Sequence, residues 1–207
     1  MRRTGILVGA LALVVAAGLG MGWYVRAQQA VPASQVAIGG KVENVELMSV
    51  TGQPVRLYDY AGAQGTLVIF VATRCPISND YNERMAELAK EYTAKGFAVL
   101  GINPNRTEPA DEVVKHAAER GLSFPIVKDP DNKVADYLGA AFTPEAYLFD
   151  RNWTLRYHGR IDDSRKPANI STRDLRAAMD AILAGKNVAV TETKAFGCTI
   201  KRVSKTS

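Results

Sequence analysis

The apolar positions of this chain repeat with two different periods, and the places where the period changes mark its elements. VELMSV and PVRLYDY flank Thr51-Gly52-Gln53, which predicts a β-hairpin. LVIFVA, residues 67–72, is apolar throughout, as a strand covered on both faces must be. Past Cys75 the period lengthens. Met85, Leu88, Ala89 and Tyr92 stand at i, i+3, i+4 and i+7, predicting a helix that begins at the cysteine and stops at Gly96. FAVLGIN reads as a second buried strand, and Pro109 to Arg120 as a helix with proline in its first turn and Gly121 past its end. FPIV is a short strand, NKVADYLGA a short helix, and AYLFD with LRYHGRI a strand pair around Arg151-Asn152. A last helix opens with Ser171 and Asp174 at capping-box spacing. It buries Leu175, Ala178, Met179, Ile182 and Leu183, and stops at Gly185. The order is β-hairpin, βαβαβα, ββ, α, an α/β fold with a central sheet between helices.

Residues 1–26 stand outside that alternation. Arg2 and Arg3 precede Gly5 to Val25, an uncharged run that as a helix would extend about 31 Å, close to the hydrocarbon thickness of a bilayer. Trp23 and Tyr24 suit the far interface, and the paired arginines keep the N-terminus in the cytoplasm. The expectation is a single-pass anchor in the cytoplasmic membrane, with the domain facing the periplasm or cell exterior. The rival is a signal peptide cut near Val25-Arg26-Ala27, and the length of the apolar run counts against it. Residues 27–38 read as a linker. Either way the domain lies in an oxidising compartment where a disulfide persists.

At 207 residues and 47% apolar content, the chain has material for one domain, expected over 39–186, plus appendages. Its net charge of +5 does not make it a nucleic-acid binder, because Lys and Arg interleave with Asp and Glu through the central region. Residues 187–207 form a tail, basic without acidic residues from Lys194 onward, and read as solvated.

Chemistry concentrates on the two cysteines, Cys75 and Cys198. Cys75 stands where a buried strand gives way to a helix, and Pro76 occupies a first-turn position where a missing N–H costs nothing. Unsatisfied N–H groups at a helix start favour thiolate over thiol, and Arg74 is expected to add positive potential. The thiolate is the species that attacks disulfides. A buried structural thiol is the plainer alternative.

With VIFVATRCPIS, GLSFPIVKDPDNKVADYLGAAFTPEAYLFD and YHGRIDD, the chain resembles the thioredoxin superfamily, in the redoxin branch that includes alkyl hydroperoxide reductases and thiol-specific antioxidants. The resemblance covers about residues 39–186 and extends to a closing Gly-Cys-x-Ile-Lys pattern, Gly197 to Lys201. It implies a thioredoxin-like fold with a central mixed sheet, disulfide exchange with a protein or small-molecule thiol, and no cofactor. Two departures qualify it. Ser78 replaces the second cysteine of Cys-x-x-Cys, so no disulfide closes within the motif. The proline and threonine ahead of a peroxidatic cysteine are here Val68 and Ala72, with Thr73 one residue out of place, which argues against peroxidase activity. The resemblance also marks Thr143-Pro144 as a cis-proline site that positions substrate.

Cys198 lies twelve residues beyond Lys186, and twelve extended residues span roughly 40 Å, enough to cross a domain. It is a candidate resolving thiol for Cys75; a free tail thiol or an intermolecular link remain open. Cys75, His158 and Cys198 together are the alternative, a copper or zinc set. His116 is expected to face solvent, Asp162-Asp163 to be a solvated turn, and GINPNR a strand end and turn.

Overall fold

The structure, a computed structural model, describes residues 34–204. The expected membrane span lies outside the described residues, among which no helix is long and apolar enough to cross a membrane. The hairpin forms from β1 (Glu46–Ser49) and β2 (Pro54–Arg56). β3 (Gly65–Phe70), β4 (Phe97–Asn103) and β5 (Ile126–Lys128) run parallel. A short β6 (Phe142–Thr143) precedes β7 (Glu145–Asp150), which pairs antiparallel with β3, and β8 (Leu155–Gly159), which pairs antiparallel with β7. The result is a seven-stranded mixed sheet in the order β2-β1-β5-β4-β3-β7-β8.

β3 lies in the middle, which is why its sequence shows no alternation. Leu67 and Ile69 enter one core with Met85, Leu88 and Tyr92 of α2 (Asn82–Thr93) and Leu175, Ala178 and Met179 of α5 (Asp174–Leu183). Val68 and Phe70 enter the opposite core with Leu100 and Ile102 and with Val134 and Leu138 of α4 (Lys133–Leu138). Each such side chain contributes about 1.5–3 kcal/mol on leaving water. Helices therefore cover both faces, as the element order predicts.

Several expectations need correction. The helix after Cys75 is two pieces, α1 (Pro76–Asp80) and α2, separated at Tyr81. Tyr81 is buried, its hydroxyl donates to Asp162 Oδ1 at 2.8 Å, and the Arg84 guanidinium lies 3.6 Å above its ring. That anchor fixes the junction. Asp162 is accordingly no solvated turn residue: it is 3% exposed and also accepts from Arg84 Nη1 at 2.7 Å. The capping box at Ser171 does not form, because Asp174 accepts instead from Arg160 Nε at 2.7 Å and Thr172 Oγ1 at 3.1 Å.

The largest correction concerns the tail. It is stitched to the domain rather than solvated. His158 N–H donates to the Thr191 carbonyl at 2.9 Å and Thr193 N–H to the His158 carbonyl at 3.0 Å. Farther on, β9 (Cys198–Thr199) pairs antiparallel with β6, Ile200 is buried, and Arg202 is ion-paired with Asp136 at 2.9 Å. Of the basic side chains described here, Arg202 contacts the domain, while Lys194 and Lys201 stay exposed.

Candidate active site

The site is assembled where β3 leaves the sheet. Its extended backbone cannot continue into a helix without freeing several N–H groups, and side chains take those of Ala72, Thr73 and Arg74. Ala72 N–H donates to Ser78 Oγ at 3.2 Å, and Thr73 and Arg74 N–H donate to the two oxygens of Glu108 at 2.9 and 3.1 Å. Asn79 Nδ2 donates back to the Thr73 carbonyl at 3.0 Å. Cys75 then adopts the extended conformation of a helix N-cap, with Pro76 opening α1. Ser78 N–H, a first-turn donor without a backbone partner, points at Cys75 Sγ from 3.2 Å. With α1 only five residues long, this direct donor is a more immediate source of thiolate stabilisation than any long helix dipole.

Cys75 is 3% exposed and forms a disulfide with Cys198, the Cα atoms 5.8 Å apart across 123 positions of sequence. The Thr143–Pro144 peptide bond is cis. The Thr143 carbonyl oxygen lies 3.3 Å from Cys75 Sγ, where it can accept from the thiol once the disulfide opens. Thr143 also pairs through its backbone with Cys198. Among the described residues, its hydroxyl is buried and has no hydrogen-bond partner. Cys75, Ser78, Thr143, Pro144 and Cys198 thus converge on one point.

Arg74 does not direct its charge there. Its guanidinium forms an ion pair with Glu112 of α3 (Ala110–Glu119), donating from Nε at 2.9 Å, and is largely exposed. The pair holds the Glu112 carboxyl below its ordinary range, and the Thr73 hydroxyl, also bonded to Glu112, adds to the shift. Thr73 is therefore turned to α3 and not to the sulfur. His158 is held elsewhere too: its Nε2 meets Glu145 Oε1 at 2.6 Å, and its ring stacks on Tyr147 at 4.4 Å. Among the described residues no three His, Cys, Asp or Glu side chains are placed to hold a metal ion, so the Cys75, His158 and Cys198 set is not assembled.

Sequence reasoning missed the residues that hold the site from beneath. Glu108, 3% exposed, also accepts from Asn103 Nδ2 at 2.6 Å. Lys128, 9% exposed, donates to Asn103 Oδ1 and to the Asn105 and Glu108 carbonyls, and burial pushes its ammonium below the ordinary lysine value. Asn105 Oδ1 accepts from Lys201 N–H at 2.7 Å and so ties this network to the tail. GINPNR is the centre of a buried polar network, and a lysine inside FPIVK was the one signal of it. Glu145 plays the matching part beside Pro144, accepting from Ala141 and Phe142 N–H, both at 2.8 Å. His116 likewise does not face solvent: it is half-buried, with Nε2 2.7 Å from Asn79 Oδ1.

Residues 38–158, which contain the β3–Cys75 turn and the cis-proline, match the AhpC/TSA family. The chain belongs to that family. Among relatives, the thiol-disulfide oxidoreductase ResA of Geobacillus thermodenitrificans is 32% identical over 121 residues, 58% of this chain and 68% of that protein. Two solved structures resemble the fold. A hypothetical protein of Sinorhizobium meliloti 1021 aligns with a TM-score of 0.74 at 34% identity, over 83% of this chain and 98% of that one. An uncharacterized conserved protein of Geobacillus kaustophilus aligns at 0.76 with 32% identity, over 82% and 94%. The thioredoxin-like α/β fold expected from the sequence is thus the fold of the chain, and within the AhpC/TSA family it carries Cys-Pro-x-Ser.

Proposed function

We propose that the chain is an exported thiol-disulfide oxidoreductase, anchored by residues 5–25, in which Cys75 attacks and Cys198 resolves. The observation that carries this reading is the Cys75–Cys198 disulfide itself, set at a helix N-cap against the Thr143-Pro144 backbone. The name of the ResA relative points the same way.

In the reductive direction, the Cys75 thiolate attacks one sulfur of a substrate disulfide. A mixed disulfide forms and the other substrate sulfur leaves as thiolate. The Cys198 thiolate then attacks Cys75 Sγ, forming the Cys75–Cys198 bond and releasing the second substrate thiolate. Two electrons pass from the protein dithiol to the substrate, and an external dithiol restores the reduced pair. Ser78 N–H stabilises the Cys75 thiolate at the first step and as leaving group when the cycle runs in reverse. Substrates are thiols or disulfides of proteins or small molecules. A peroxide substrate is disfavoured, because Val68 and Ala72 stand where a peroxidatic site has proline and threonine, and the Thr73 hydroxyl is engaged by Glu112.

The test is turnover of a peptide disulfide driven by dithiothreitol. Wild type should accelerate it, Cys75→Ser should abolish the acceleration, and Cys198→Ser should stall as a long-lived mixed disulfide on Cys75. Acceleration that survives Cys75→Ser would refute the assignment. A wild type with no acceleration would mark the disulfide as structural.

A further inference from the structure

The sulfur that meets Cys75 arrives on an extended strand, and the surroundings of that strand restrict what can carry it. Cys198 and Thr199 pair with Thr143 and Phe142, and Ile200 N–H continues the ladder by donating to the Ala141 carbonyl at 3.0 Å. Gly197, immediately before the cysteine, lies flat against the Thr143 peptide. A Cβ at this position would stand 2.7 Å from the Thr143 carbonyl carbon and closer still to its oxygen. Those are backbone atoms fixed between β9 and the cis-proline, so they cannot swing aside as a side-chain tip would. On either side the strand is held by apolar groups. The Phe196 ring meets the Tyr81 ring edge-on at 6.2 Å, and Ile200, 6% exposed, joins the core that contains Val134, Leu138 and Ala140.

We propose that this surface is a sequence filter: the partner that exchanges disulfides with Cys75 presents an extended segment of the pattern Gly-Cys-x-aliphatic, and residues 197–200 of the chain occupy the place of that segment. This rests on the thiol-exchange reading above and specifies its substrate class. Two features support a substrate-like strand over a simple staple. Its backbone pairs with the residue adjoining the cis-proline, and it buries Cys75 so fully that any other sulfur must replace it. The anchors on both sides of Cys198, at Thr193 and at Lys201 to Val203, keep the tail near when the disulfide opens. An incoming segment therefore competes with the tail at high effective concentration, and only one that fits the same restraints displaces it.

The experiment uses the full chain carrying Cys198→Ser, reduced, and two peptides spanning residues 195–201: Ala-Phe-Gly-Cys-Thr-Ile-Lys and the same peptide with alanine for glycine. Each peptide cysteine is held as a mixed disulfide with glutathione. Cys75 attacks the peptide sulfur, glutathione leaves as thiolate, and mass spectrometry follows the adduct. The glycine peptide should couple at least about tenfold faster, as expected where an added methyl meets fixed backbone. Adding Gly197→Ala to the protein should weaken tail docking and speed coupling of the glycine peptide while preserving the preference. Equal rates for the two peptides would overturn the filter alone. Failure of Cys75 to react with oxidised glutathione, which has no strand to pair, would overturn the thiol-exchange reading and the filter with it.

Discussion

Glu108 is the residue whose removal should do most to loosen the Cys75 turn without touching either sulfur. Its two oxygens accept from Thr73 N–H at 2.9 Å, Arg74 N–H at 3.1 Å and Asn103 Nδ2 at 2.6 Å, all around a side chain 3% exposed. Glu108→Gln keeps the shape but only one acceptor oxygen. With that oxygen facing Thr73 and Asn103, the new NH2 group faces Arg74 N–H, donor against donor. Losing one hydrogen bond to a charged group costs about 1.5–3 kcal/mol. The buried Lys128 ammonium also loses a neighbouring carboxylate that favours its charged form. A total near 3 kcal/mol, at about 2–4 °C per kcal/mol for a domain of this size, lowers the Tm by about 6–12 °C. Thermal melts of the oxidised chain at neutral pH, followed by circular dichroism, measure this directly. Lys128→Met should cost less in this background than in wild type, because here it also removes a charge that has lost its balancing carboxylate. A Glu108→Gln melt within about 2 °C of wild type would refute the assignment of Glu108 as the support of the turn.

Reducing the Cys75–Cys198 bond should also lower the melt. A closed loop of 123 positions stabilises by about 5 kcal/mol at the chain-entropy ceiling and about 2–4 in usual practice, so a drop of roughly 5–15 °C is expected with dithiothreitol or Cys198→Ser; an unchanged melt would contradict it. Ile200→Ala removes a side chain 6% exposed and should cost about 2–4 kcal/mol, with faster amide exchange across residues 198–203; unchanged exchange there would mean that the tail does not depend on this anchor. Acid should weaken the fold partly through His116, whose imidazole is held below its ordinary 6.5 by burial and then by Arg120. Its contribution is full above the unfolded value, falls as pH drops below 6.5, and is wholly lost below the depressed folded value, because the unfolded chain binds the proton first. His116→Gln should flatten that part of the Tm–pH slope, and an unaltered slope would assign it to other groups.

The central strands and covering helices were legible in the sequence because their periods report burial directly: LVIFVA shows a strand between two cores, and Met85, Leu88, Ala89 and Tyr92 show one face of a helix. The Cys75 turn was legible because Cys-Pro at such a junction carries its own backbone logic. Other features were hidden because they depend on partners distant in sequence. Glu108, Lys128 and Asp162 are charged residues whose burial is made possible by groups up to 81 positions away. The docking of the tail left little mark in the sequence: β9 is two residues long, and its pairing with β6 requires Gly197 to clear Thr143. Arg74 misled for a similar reason. Adjacent in sequence to Cys75, it spends its charge on Glu112, 38 positions on.

The most direct test is a pair of single-cysteine proteins, reduced, whose alkylation rates are followed against pH. Cys198→Ser leaves Cys75 with the Ser78 N–H beside it, so its rate profile should inflect clearly below the unperturbed thiol value of about 8.5. Cys75→Ser leaves Cys198 on a strand where, among the described residues, no such donor is hydrogen-bonded to it, and its profile should inflect above that of Cys75. A Cys75 inflection at or above 8.5, or a Cys198 inflection below that of Cys75, would contradict the account of which sulfur attacks.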